Sequence, residues 1–116
     1  MNYRTIRLDF REVARADTFG ITLAIDPAYP ITPTTRILMH VKPVGDIPEQ
    51  PILVFDSAAG TITIDGQDIT LAQSAATMDV RPGCYTHDIR FITAGQSTTL
   101  YQGLFEITPT ATPLPQ

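Results

Sequence analysis

The sequence predicts an all-β protein, a two-sheet immunoglobulin-like sandwich of about seven or eight short strands. Three observations lead there. Apolar side chains recur at every second position in stretch after stretch, the period of a half-buried strand. Turn residues separate these stretches at hairpin spacing. The one segment with helical propensity, Ala72 to Met78, is too short to stand as a free helix and reads as a single turn or an irregular crossover.

Ile6, Leu8 and Phe10 alternate with Arg7, Asp9 and Arg11, which predicts one continuous half-buried strand at the start. Phe19, Ile21, Leu23 and Ile25 repeat the pattern until Asp26-Pro27 and Tyr29-Pro30 end it, because proline cannot donate to a ladder. Arg36 to Lys42 follows a loop rich in proline and threonine; it carries Ile37, Met39 and Val41 on one face and Leu38 and His40 on the other, so both faces are expected to be covered. The segment Gly45 to Pro51 reads as a connection between sheets, and Ile52 to Phe55 as a short buried strand. Thr61-Ile-Thr-Ile64, Asp65-Gly66 and Gln67 to Leu71 form a hairpin pattern with Asp-Gly at the turn. The last two strands are Cys84 to Thr93 and Thr98 to Thr108, joined by a loop at Ala94 to Ser97. Residues 1–108 are thus one sandwich domain, and the proline-rich segment 109–116 should leave it as an extended arm. Leu23, Ile37, Ile62, Tyr85, Ile89, Phe91, Phe105 and Ile107 are the expected core.

Two glycines take architectural roles in this reading. Gly83 after Pro82 supplies a positive φ in a type II turn, and Gly103 inside a strand pattern marks a bulge or a close approach of backbone. A bulge at Gly103 would shift the phase of Leu100 so that it shares a core with Phe105 and Ile107.

Composition narrows the function. The 116 residues, 43% hydrophobic, suffice for a core that removes roughly two-thirds of the unfolded surface from water. A single cysteine, Cys84, allows no intrachain disulfide and suits a reducing compartment. Charged residues interrupt Met1 to Glu12, so no apolar signal core is expected there, and no apolar run approaches the ~20 residues of a membrane helix. These features favour synthesis in the cytoplasm and argue against membrane insertion. Net charge is −4 and the basic residues are scattered arginines with one lysine, Lys42, which argues against a nucleic-acid groove.

Cys84, His87 and Asp88 suggest a thiol nucleophile with base and orienting carboxylate, yet strand alternation puts Cys84 and Asp88 on one face and His87 on the other with Tyr85 and Ile89. His40 and His87 fall on different strands, without the spacing of a metal site, and Asp65 and Asp68 lack the other oxygen ligands of a calcium loop. No phosphate-binding glycine loop or serine-nucleophile elbow is present in the sequence. Neither a catalytic residue nor a cofactor or metal is expected.

Pro82-Gly83-Cys84-Tyr85, with Asp79 upstream, is similar to the immunoglobulin corner, where a tyrosine sits two residues before a disulfide cysteine; His87 occupies that cysteine's position here. A resemblance covering nearly the whole chain is to small β-sandwich modules of bacteriophage and prophage tails and baseplates. It is carried by Asp17-Thr18-Phe19, Ser74-Ala75-Ala76-Thr77, Gly83-Cys-Tyr85-Thr-His87-Asp88-Ile89, and Gly95 through Leu100, Gly103, Phe105 and Ile107 to Pro109-Thr-Ala-Thr112. His87 departs from the pattern by replacing a second aromatic. Gly83, Tyr85, Asp88 and Gly103 are the motif residues, with structural roles. The resemblance implies a non-catalytic virion structural or assembly part whose partners are other phage structural proteins and further copies of itself. It would be found in the host bacterial cytoplasm during assembly and then in the virion. The alternative weighed is an immunoglobulin-like carbohydrate- or receptor-binding module, which would need exposed aromatics near 26–33 or 43–51, where Tyr29 is the obvious one.

Overall fold

A computed structural model describes residues 4–44 and 50–112. Most of the expected connection at Gly45 to Pro51 and the end of the proline-rich arm lie outside those residues. Nine strands are assigned among the described residues: β1 Ile6–Arg7, β2 Phe10–Ala14, β3 Phe19–Ala24, β4 Arg36–Pro43, β5 Leu53–Asp56, β6 Ile62–Asp65, β7 Asp68–Gln73, β8 Gly83–Thr93 and β9 Gln96–Thr108. They form two sheets, as alternation with both an apolar and a polar face requires. The larger runs β1-β9-β8-β4-β5, with β2 also on β9, and the smaller runs β3-β7-β6. β1 and β2 pair with β9 in parallel; the other pairings are antiparallel.

The core lies between the inner faces. Ile37, Met39 and Val41 of β4, Tyr85, Ile89 and Phe91 of β8, and Leu100, Phe105 and Ile107 of β9 are buried from the large sheet, and Ile62, Ile69 and Leu71 from the small one. Seven of the eight expected core residues are in this set; Leu23 is half-buried and packs against it. Rings of Phe10, Phe19, Phe55 and Phe105 meet at centroid distances of 5.3–5.9 Å in tilted and edge-on arrangements.

Several local expectations need correction. The opening strand is not continuous: pairing breaks at Leu8–Asp9 and shifts register between Phe10 and Val13, where Glu12 has φ 56°. Ile6 is consequently 48% exposed while Phe10 is buried. The hairpin turn is Gly66-Gln67, between paired Asp65 and Asp68, with Gly66 at φ 63°, so glycine takes the first central position as in a type II′ turn. The loop at Ala94 to Ser97 tightens to the pair Ala94-Gly95, both at positive φ, between paired Thr93 and Gln96. Gly83 does not turn: it opens β8 opposite Ile107 at φ 158°. The bulge in β9 is at Leu100, between the pairs Ile89–Tyr101 and Arg90–Thr99, rather than at Gly103. It produces the predicted phase change, and Leu100, Phe105 and Ile107 share the core.

Ser74 to Thr77 makes the single turn expected, with Met78 N bonded to Ser74 O and the Ser74 hydroxyl accepting from Thr77 N.

Candidate functional site

Three of the four motif residues belong to two structural devices, one at the entry to β8 and one further along, where His87 of β8 pairs with Gly103 of β9; Asp88 belongs to neither. At the entry to β8, the Tyr85 hydroxyl donates to the Arg81 carbonyl, four residues back, and fixes the path of the chain into the strand. Gly83 lies under the Tyr85 ring; a Cβ there would meet the ring at 3.8 Å, an ordinary contact, so space does not require glycine. Asp88 stands on the outer face, across from His40 on β4 and Gln102 on β9.

Gly103 belongs to the second device. It faces His87 across the β8–β9 ladder, and the Leu8–Asp9 segment crosses over it. A Cβ at Gly103 would fall 2.2 Å from the Leu8 carbonyl oxygen and 2.6 Å from an Asp9 carboxylate oxygen, so only glycine lets the segment pass. His87 and Asp9 hold it in place. The Leu8 carbonyl lies 2.6 Å from His87 Nε2, and Asp9 Oδ1 accepts from Leu104 N at 2.9 Å. That amide, more than neighbouring Arg7 and Arg11, holds the Asp9 carboxyl below its ordinary pKa.

His87 is buried at 4% exposure, edge-on to Phe10 at 5.1 Å. A carbonyl only accepts, so Nε2 carries the proton, and Nδ1 has no partner among the described residues. Burial pushes the His87 pKa below its ordinary value, against smaller upward pulls from the Leu8 carbonyl, Asp88 and Asp9. Cys84 is exposed on the opposite face of β8. Thiol and imidazole therefore do not meet, as strand alternation predicts. Among the described residues no group of three His, Cys, Asp or Glu side chains is arranged to hold a metal ion.

What the surface offers is a sheet face and sheet edges. The outer face of β4, β8 and β9 forms an open depression of about 470 Å³ lined by Leu38, His40, Lys42, Thr86, Asp88 and Arg90. Leu38 and His40 are half-buried there rather than covered. The lining mixes both charges and contains no Phe, Tyr or Trp. Tyr29, the aromatic singled out for a binding module, is half-buried and packs edge-on against Phe91 at 5.3 Å.

The edges differ in how they are closed. On β5 two of the backbone groups turned away from β4 are taken by side chains: Gln73 Nε2 donates to Val54 O at 2.7 Å, and Thr61 Oγ1 accepts from Asp56 N at 2.7 Å. The β1–β2 edge is broken by the Gly103 crossing and carries Arg7, Asp9, Arg11 and Glu12. On the small sheet β6 is four residues long. Among the described residues β3 is left as a regular six-residue edge, without a charged residue. Sequence reasoning found Gly103 but neither the Gln73 cap nor the His87 contact, since both are side-chain reaches between segments far apart in the chain. No family model matches the chain, and no curated protein matches it. Among the described residues no helix is long and apolar enough to cross a membrane.

Proposed function

We propose that this chain is a non-catalytic structural or assembly module of a bacteriophage or prophage tail or baseplate, working through contacts with other proteins. The observation that carries the structural part of the reading is where the chemistry-bearing side chains are spent. His87, Gly103 and Asp9 bind the N-terminal strand to the sandwich, Tyr85 and Gly83 shape the entry to β8, and Cys84 faces solvent apart from them. The motifs that carry the phage-module resemblance lie on the elements that build this frame: Asp17-Thr18-Phe19 leads into β3, Ser74 to Thr77 forms the turn after β7, and the rest runs along β8 and β9.

The immunoglobulin-like form of the sandwich is part of this proposal. Strand order supports it: β9-β8-β4-β5 corresponds to the G-F-C-C′ sheet and β3-β7-β6 to B-E-D. The Tyr85–Arg81 bond at the start of the F-equivalent strand corresponds to the tyrosine corner. The site of the inter-sheet disulfide is taken by His87 on that strand. Sandwiches of this kind host unrelated functions, so the phage reading rests on the motifs and not on the architecture.

Quantitative mass spectrometry of density-purified particles from an induced culture of the source strain tests it. Co-banding at a fixed ratio to tail proteins is expected. Absence both from intact particles and from tail-assembly intermediates would overturn the proposal.

A further inference from the structure

We infer that the open edge of β3 pairs antiparallel with β3 of a second copy, joining two three-stranded sheets into one. This deepens the structural-module reading and rests on it. The ladder to β7 fixes which backbone groups are free. Ile25 N bonds to Gln67 O, in the register that pairs Leu23 with Ile69 and Ile21 with Leu71. Hydrogen-bonded pairs alternate with non-bonded ones in an antiparallel ladder. Phe19, Ile21 and Leu23 therefore bond to β7, and Gly20, Thr22 and Ala24 turn their N–H and C=O groups to the edge. Those three residues are exposed, and nothing lies within 4 Å of a Cβ built on Gly20. Phe19, Ile21 and Leu23 face the core but are only half-buried, leaving apolar surface along the same edge.

The edge is self-complementary, which identifies the occupant. A two-fold axis at Thr22 sets Thr22 opposite itself and Gly20 opposite the second copy's Ala24. These three bonded pairs exchange about six hydrogen bonds. On the inner face the same register sets Ile21 against Leu23 and Phe19 against Ile25, apolar on apolar in every pair. On the outer face only glycine, threonine and alanine meet. Among the described residues no proline, lysine, bulge or capping side chain of the sort that closes β5 and β1–β2 interrupts β3, and such an edge accepts a strand. Asp17 and Asp26, at the two ends of β3, come near each other across the axis, so salt should strengthen this contact rather than weaken it.

Sedimentation of the full chain over a concentration series up to about 1 mM, at low and high salt, should show a monomer–dimer equilibrium that shifts toward dimer with salt. Thr22→Pro should be monomeric and retain the wild-type circular dichroism, since the Thr22 N–H makes no bond to β7. In a Cys84→Ser background, Thr22→Cys should oxidise to a covalent dimer, the facing Cα atoms being about 5.5 Å apart. Ala24→Cys, which faces Gly20 of the other copy, should cross-link at least tenfold less. A wild-type chain monomeric throughout overturns the pairing and leaves the edge to a foreign strand. A dimer in which Ala24→Cys links as well as Thr22→Cys overturns it too. Neither outcome bears on whether the chain co-bands with particles, so the two proposals fail separately.

Discussion

His87 Nε2 and the Leu8 carbonyl oxygen, 79 residues apart in the chain, lie 2.6 Å apart above Gly103. This contact ties the N-terminal strand to the middle of the large sheet, and the burial of the imidazole that makes it gives stability a pH dependence. Burial lowers the folded-state pKa of His87 below its ordinary 6.5. Between the two values the unfolded chain binds a proton that the native protein does not, so stability rises with pH. The contribution is fully present above about pH 6.5 and is lost as pH falls toward the folded-state value, at up to about 1.4 kcal/mol per pH unit. Urea melts from about pH 7.5 to about pH 5 should show this loss. His87→Gln, which keeps an N–H donor and removes the titration, should flatten it; equal slopes in the two proteins would exclude His87 as the source.

Gly103→Ala should cost about 3 kcal/mol, because the added methyl meets backbone and cannot be relieved by turning a side chain. Gly20→Ala is the control. Its Cβ meets nothing within 4 Å, so the change should stay within about 0.5 kcal/mol. Similar melts for the two variants would mean the Leu8–Asp9 crossing is not fixed by Gly103.

The contrast between these glycines shows what a sequence of this kind discloses. Alternation of period two is a property of single strands, so strands, sheet faces and seven of eight core residues could be read directly. A glycine inside the pattern at Gly103 also signalled a close approach. Which segment approaches could not be read, because Leu8 and Gly103 are brought together by the fold and share no local pattern. Nor does the phase change locate the bulge: one extra residue anywhere from Leu100 to Gly103 gives the same phase at Phe105, and only the ladder to β8 puts it at Leu100. Leu8 to Phe10 alternates perfectly, and its break is visible only once β9 lies beside it.

Tyr85→Phe removes one hydroxyl and little volume. The Arg81 carbonyl loses its donor at the entry to β8, and the expected cost is about 1 kcal/mol in denaturant melts. No measurable change would show that ring packing alone sets the corner.

Gln73→Met tests the closure of β5. The substitution keeps side-chain length and removes the donor to Val54 O, at an expected cost of about 1–2 kcal/mol. Because Gln73 sits on β7 and Val54 on β5, the bond also joins the two sheets. Hydrogen exchange should therefore quicken at β5 before it does at β8, and uniform quickening would show a general loss of stability instead.

Phe91 is fully buried on the inner face of β8, opposite Ile37 on β4 and Thr98 on β9. Tyr29 rests edge-on against its ring, so the same side chain anchors the loop that follows β3. Phe91→Ala should cost about 3–5 kcal/mol, the lost burial plus a cavity that three paired strands cannot close. Phe91→Leu fills most of that space and should cost about 1–2 kcal/mol. The aromatic contact itself is isolated by a double-mutant cycle with Tyr29→Leu, with an expected coupling of about 0.5–1.5 kcal/mol. A Phe91→Ala cost below about 1 kcal/mol would remove Phe91 from the core. A large cost with no coupling to Tyr29 would leave it in the core and detach the loop from it.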